Sequence, residues 1–64
     1  MKNKAIYNFL IGQDIDRARR LLGWWWTLEN CELSTGYKAR YIFTQSPNKK
    51  LILTTQKNII MGVE

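Results

Sequence analysis

Three consecutive tryptophans, Trp24, Trp25 and Trp26, limit how this chain can fold more than any other stretch. Each indole can bury roughly 150–250 Å², so the core and its covering layer must be arranged around them. The helical spacing of apolar residues ends at Gly23, and an alternating pattern begins near Thr27. Neighbours in a strand point to opposite faces. We therefore predict that Trp24 and Trp26 enter the core and that Trp25 faces outward.

The chain of 64 residues is sufficient for one small domain. Such a domain buries only about 60% of the surface that its unfolded chain exposes, so its stability is marginal. The single cysteine, Cys31, cannot form an internal disulfide, and the sequence has no histidine, the commonest zinc ligand. We expect no metal or cofactor, and we expect a dense aromatic core or self-association to stabilise the domain. The lone cysteine and the lack of a long apolar run predict a cytoplasmic protein.

Two short helices are predicted before the tryptophans. Residues 2–11 carry apolar side chains at helical spacing, and Gly12 is suited to end that helix. Asp14 is suited to cap a second helix over residues 15–22. A single continuous helix would place Asp14 within the apolar stripe, so a break between two helices is the better prediction.

The second helix is amphipathic and basic. Arg17, Arg19 and Arg20 lie on its polar side, and Asp16 is spaced to pair with Arg20 one turn later. Gly23 is placed to end the helix. Cations near the end of a helix interact favourably with its dipole, so a structural role for these arginines is at least as well supported as a binding role.

From the tryptophans onward the apolar period changes from about 3.6 residues to 2, which predicts strands. Turn residues at 34–36, around Pro47 and at 57–58 divide this part of the chain. The resulting strands cover residues 24–33, 37–44, 49–56 and 59–63, the last weakened by Gly62. The predicted fold class is α+β, with two short N-terminal helices packed on a three- to four-stranded antiparallel β-meander. A small, strongly bent, barrel-like sheet closed by residues 59–63 is the alternative.

Side-chain patterns also predict how the strands pair. In the first hairpin, Trp26 is set beside Phe43, and Glu29 is set beside Arg40 as an opposite-charge pair. In the second hairpin, Phe43 opposes Leu51. The covered face of the sheet is predicted to contain Trp24, Trp26, Leu28, Tyr41, Phe43, Leu51 and Leu53.

The opposite face of the sheet carries the candidate binding residues. They combine one indole, two paired isoleucines and three cations: Trp25, Ile42, Ile52, Lys38, Arg40 and Lys50. Ten Lys and Arg against five Asp and Glu give a net charge of +5, which favours polyanionic partners. An exposed indole stacks on nucleic-acid bases while nearby cations neutralise phosphates. The first hypothesis is therefore nucleic-acid binding, to DNA or RNA, on this face.

Other binding hypotheses use some of the same residues. The apolar patch of Trp25 and the two isoleucines suits a protein partner, either a second copy of the chain or a larger enzyme that it regulates. The three arginines of the second helix suit a DNA groove or, together with the indoles, a membrane surface. The leucines of this short helix are expected in the core, which argues against membrane attachment.

An enzyme is the least favoured class. There is no histidine for general-base catalysis, and the four glycines are isolated, so no phosphate-binding loop is formed. Glu29 and Glu32 would point to opposite faces of one strand and cannot act as a carboxylate pair. We therefore expect a non-enzymatic binding protein.

Overall fold

Four antiparallel strands and two helical segments make up the chain in a computed structural model that describes residues 4–46 and 48–64. The helical segments are a 3₁₀ helix, Lys4–Leu10, and an α-helix, α1, Ile15–Leu22. The strands are β1, Thr27–Ser34; β2, Lys38–Ser46; β3, Lys49–Gln56; and β4, Ile59–Val63. They lie side by side in chain order, so β1 and β4 form the two edges.

The α+β class and the antiparallel meander are thereby confirmed, and the barrel-like alternative is wrong because β4 pairs with β3 at an edge. The predicted turn residue Pro47 and the first two residues of the predicted helix over 2–11 lie outside the described residues. No helix in the described part of the chain is long and apolar enough to cross a membrane.

The first helical segment differs from the prediction because it is a 3₁₀ helix. Residues three positions apart are aligned in such a helix. Tyr7 and Leu10 accordingly face the sheet, with Leu10 buried and Tyr7 partly buried against the core. Ile6 and Phe9, one position earlier in each case, share an exposed edge. One apolar segment therefore serves both the core and the surface.

The α-helix has the predicted bounds and the predicted cap. The Oδ1 atom of Asp14 accepts a hydrogen bond of 2.8 Å from the backbone N–H of Asp16. Gly12 has a φ of +92°, which separates the two helical segments as predicted. The predicted pair of Asp16 with Arg20 is wrong, since Arg19 Nη1 lies 4.0 Å from the Asp16 carboxylate. The buried residues of α1 are Ile15, Ala18 and Leu22.

The second hairpin has the predicted register, whereas the first does not. Phe43 opposes Leu51, and the neighbouring isoleucines oppose each other, as the alternating pattern predicted. In the first hairpin, Ser34 opposes Lys38, so the turn covers residues 35–37 instead of the predicted 34–36 and displaces the pairing. A β-bulge between Leu28 and Asn30 then changes the displacement by one residue. Alternation alone fixes neither the loop length nor the bulge, which explains the error.

The shifted register changes the partners of two predicted contacts. Phe43 opposes Leu28 instead of Trp26. Arg40 opposes Glu32, and its Nη1 atom lies 3.2 Å from the Glu32 carboxylate. The predicted pair of Arg40 with Glu29 is therefore wrong.

The link between the two helical segments runs along the outer edge of β4. The N–H of Gly12 donates to the carbonyl of Ile60 at 2.7 Å, and the N–H of Ile60 donates to the carbonyl of Gln13 at 3.0 Å. The N–H of Ile15 donates to the carbonyl of Asn58 at 2.9 Å. These bonds satisfy backbone groups that an edge strand would otherwise expose, and they fix the helical layer over one face of the sheet.

The core lies between that face and the helical segments. Its buried members are Leu10, Ile15, Ala18, Leu22, Trp26, Phe43, Leu51, Leu53 and Ile60. Leu28 and Tyr41 pack against it and are partly buried. The predicted covered face is thus confirmed except for Trp24, which is 79% exposed.

Candidate interaction surface

The tryptophan triplet lies in a turn that follows α1. The backbone N–H groups of Trp25 and Trp26 both donate to the carbonyl of Leu22, at 2.9 and 2.7 Å. The end of the helix therefore continues into a tight turn, and β1 begins only at Thr27. The prediction that the triplet forms a strand with alternating faces is wrong, because these bonds hold the backbone in a turn where alternation does not apply.

Trp26 is the member of the triplet that enters the core. Its indole ring meets the ring of Tyr7 edge-on, with centroids 6.0 Å apart and an interplanar angle of 82°. Its Nε1–H donates a hydrogen bond of 3.2 Å to the Tyr7 hydroxyl. A buried indole needs such an acceptor. Trp26 thus joins the 3₁₀ helix to the sheet.

Trp24 and Trp25 lie at the surface, where they are 79% and 69% exposed. They border a cleft of about 590 Å³ together with Phe9 and Leu21, which are 63% and 48% exposed. We call these four residues the indole surface. Its side chains come from the 3₁₀ helix, from α1 and from the turn that follows α1, and the core residues Leu10 and Leu22 also line the cleft.

One arginine of α1 borders the indole surface. A second, smaller cleft shares Phe9 and Leu21 with the first and extends to Arg17. On the other side of α1, Arg20 lines a separate cleft together with Asp16, and no residue of the indole surface lines that cleft. The indole surface is therefore apolar, with Arg17 at its border. Arg19 lies near Asp16, in a pair too exposed to contribute much stability.

The outer face of the sheet holds the other predicted binding residues, but without an indole. The predicted centre of that site, Trp25, lies in the turn after α1 and not on this face. The remaining predicted residues, Lys38, Arg40, Ile42, Lys50 and Ile52, do share one face of β2 and β3 by their register.

The cations of the outer face are spread over its length. Lys50 opposes Thr44, which lies six positions beyond Lys38 on β2, or about 20 Å along an extended strand. Arg40 lies between them and is paired with Glu32. Ile42 lies two positions after Arg40 on β2 and opposes Ile52. No compact aromatic and cationic cluster is formed by these residues.

The sequence prediction missed three residues of the indole surface. It placed Leu21 and Trp24 in the core, and it assigned Phe9 no binding role. One signal was available in α1. At about 100° per residue, Leu21 lies about 60° from Ala18 and 100° from Leu22, at the margin of the apolar stripe. The other signal is the excess of large apolar side chains over what a domain of this size can bury.

Titratable groups give no sign of a reaction centre at the indole surface. The pKa of Tyr41 is raised above the usual value of a phenol, first by burial and then by the neighbouring thiol of Cys31. Both residues lie on adjacent positions of β1 and β2, away from the exposed indoles. In residues 4–46 and 48–64, no group of three or more Cys, Asp or Glu residues is arranged to hold a metal ion.

Comparisons with protein-family models, with curated proteins and with solved structures found no match to this chain. Its function must therefore be argued from its own side chains. The indole surface and the outer face of the sheet are the two regions that offer chemistry for binding.

Proposed function

We propose that this chain is a non-enzymatic binding protein that attaches to a larger partner through the indole surface. One observation carries the proposal: two adjacent indoles, each more than two-thirds exposed, line one cleft with Phe9 and Leu21. Contiguous apolar patches are uncommon on monomers and mark sites of interaction. Tryptophan is also among the residue types at which binding energy concentrates.

Folding alone does not explain the exposed indoles. Trp24 and Trp25 are absent from the buried core cluster, whereas Trp26 is buried in it. An exposed apolar side chain gains nothing from burial in the folded monomer. A partner that covers these side chains would add the missing stabilisation, as ligand binding does for any marginal domain.

The first experiment introduces a photoreactive side chain at the indole surface. Benzoylphenylalanine in place of Phe9 preserves an aromatic ring at an exposed position, and the same group in place of Lys38 provides a control on the outer face of the sheet. On irradiation in cells that express the chain, we expect covalent adducts from position 9. These adducts should disappear in a Trp24→Ser/Trp25→Ser background. Equal adducts from both positions, or none from position 9, would contradict the proposal.

Nucleic-acid binding on the outer face of the sheet is the second candidate. The observation that favours it is that Lys38, Arg40 and Lys50 project from one open face of β2 and β3 in a chain of charge +5. Cations on a flat sheet can neutralise phosphates even without base stacking, although such binding is weak and strongly dependent on salt.

This candidate is tested by fluorescence anisotropy with labelled single- and double-stranded oligonucleotides at 50 and 200 mM salt. If the outer face binds, affinity falls steeply with salt, and Lys38→Gln/Lys50→Gln weakens it. The matched variant Arg17→Gln/Arg20→Gln removes the same charge from α1. A greater loss in that variant would place any nucleic-acid contact on the helix instead.

A further inference from the structure

We propose that the partner of the indole surface is the interface of an anionic lipid bilayer. Trp24 and Trp25 enter the headgroup region, and Arg17 and Arg20 contact lipid phosphates. This inference rests on the proposed function, because it identifies what covers the same surface. It describes attachment to one side of the bilayer through side chains of a folded domain.

The exposed indoles have the chemistry of a membrane interface. An indole has a large apolar body and one N–H donor, and tryptophan is therefore enriched where hydrocarbon meets water. Trp24 and Trp25 lie in a turn beyond the end of α1, so both rings are presented together. In the described part of the chain, hydrogen bonding of an indole N–H is found at Trp26 alone. The donors of the other two indoles remain available to lipid headgroups.

The structure removes the objection that the leucines of α1 are needed for the core. Leu22 is buried, but Leu21 is 48% exposed and lies beside Phe9 on the indole surface. The 3₁₀ helix adds Ile6, which shares the exposed edge of Phe9. The apolar area thus extends over two helical segments and a turn, which is more than the eight residues of α1 could offer.

The charges around the indole surface favour an anionic partner. Arg17 borders it, and no acidic residue lines either of the two clefts that contain Phe9 and Leu21. Arg20 lies on the other side of α1, in a cleft that Asp16 also lines. Each cation held near an anionic membrane surface strengthens binding by about fivefold. Two such cations should make the affinity for anionic bilayers about 25-fold higher than the affinity for neutral bilayers.

A second copy of the chain fits this surface less well. A dimer with two-fold symmetry places the same patch of each copy against the other. Arg17 and Arg20 of both copies would then add four positive charges near one interface, and like charges at an interface oppose association. A bilayer has an apolar layer below a plane of negative charge. The apolar side chains of the indole surface can face the first, and the arginines of α1 can face the second.

The test uses the full chain with lipid vesicles. One set contains phosphatidylcholine only, and the other contains 30% phosphatidylglycerol. We expect the chain to float with the anionic vesicles and to bind the neutral ones about 25-fold more weakly. Tryptophan emission should shift to shorter wavelength on binding, and lipids brominated near the headgroup should quench it more than lipids brominated deep in the acyl chain.

Two double variants separate the apolar and the cationic contributions. Trp24→Ser/Trp25→Ser should weaken binding to anionic vesicles at least about tenfold, which corresponds to only about 55 Å² of apolar surface. Arg17→Gln/Arg20→Gln should weaken it about 25-fold and leave binding to neutral vesicles unchanged. The control Lys38→Gln/Lys50→Gln removes the same net charge from the outer face. Its effect should be several-fold smaller than that of the helix variant, because both lysines lie on the face of the sheet away from the helical layer and salt screens distant charges.

Three results would overturn the inference: no binding to anionic vesicles, full binding by the tryptophan variant, or equal losses from the two charge variants. A dimer that persists on dilution and is abolished by Trp24→Ser/Trp25→Ser would replace the bilayer with a second copy. Failure of this inference is distinct from failure of the proposed function. A protein adduct from position 9 that needs both tryptophans, without vesicle binding, would retain the function and reject the lipid partner.

Discussion

Trp26 and the indole surface contain the same kind of side chain one residue apart, yet their environments are opposite. Trp26 is 9% exposed, packs against Tyr7 and donates a hydrogen bond to its hydroxyl. Trp25 is 69% exposed and lies beside other exposed apolar groups. The difference shows that residue type does not decide between a buried and an exposed position here. The turn after α1 decides it, by directing one indole inward and two outward.

The largest expected difference is in the effect on stability of removing each indole. We expect Trp26→Ala to lower the free energy of unfolding by about 3–5 kcal/mol, because it leaves a cavity in the core. For a domain of this size that is most of the available stability. Trp25→Ala should change it by less than about 0.5 kcal/mol. Urea denaturation followed by circular dichroism measures both, and equal losses would remove the distinction between the two regions.

The adjacent leucines of α1 repeat the same comparison with a smaller side chain. Leu22 is buried in the core, whereas Leu21 belongs to the indole surface. Leu22→Ala should lower the free energy of unfolding by about 2–4 kcal/mol. Leu21→Ala should lower it by less than about 0.5 kcal/mol, because alanine also favours a helix. Thermal and urea unfolding of both variants provide the measurement. A loss of more than 1 kcal/mol in Leu21→Ala would mean that this side chain stabilises the fold.

The hydrogen bond of Trp26 allows a finer test. Tyr7→Phe keeps the aromatic contact and removes the acceptor of the indole N–H. We expect a loss of about 1 kcal/mol, the net value of a typical intramolecular hydrogen bond. Tyr37→Phe is the matched control, because Tyr37 is exposed in the turn between β1 and β2. If both variants are as stable as the parent, packing alone holds Trp26 in place.

The smallest effect is expected on the outer face of the sheet, where no second layer covers the side chains. The pair of Arg40 and Glu32 is about half exposed on both sides and should couple by no more than about 0.5 kcal/mol. A double-mutant cycle of Arg40→Gln with Glu32→Gln measures that coupling. The cycle with Glu29→Gln should give none, because the pairing that starts at Ser34 and Lys38 sets Glu32, and not Glu29, opposite Arg40. Coupling to Glu29 instead would restore the register predicted from alternation.

Much of the fold was accessible from the sequence because it depends on local signals. Asp14 caps α1 at the predicted position, and β3 and β4 have the predicted bounds. The register of β2 with β3 followed from alternation, because the pairing runs without a bulge from Lys38 to Thr44 on β2. These features are set by residues close in sequence or by a regular pattern.

The candidate surface was less accessible because its geometry depends on hydrogen bonds that the residue pattern does not reveal. The carbonyl of Leu22 accepts two bonds from the triplet, and this delays the start of β1 until Thr27. Trp25 is exposed, but it lies in the turn after α1 beside Trp24 and not on the outer face of the sheet, where it was predicted. Phe9 and Leu21 reach the same surface only through tertiary packing of the two helical segments.

The hydrogen bonds between residues 12–15 and β4 also affect how this sheet can aggregate in concentrated solution. A fibre that grows by strand addition needs two open edges, one to receive a molecule and one to offer the next position. The segment at 12–15 bonds to the outer edge of β4 at Ile60 and to Asn58 just before it, so β1 is the more open edge for a foreign strand. Growth of that kind would stop at a pair of molecules joined through β1. The same few bonds that hold the helical layer in place should thus keep the chain from forming continuous cross-β aggregates while it remains folded.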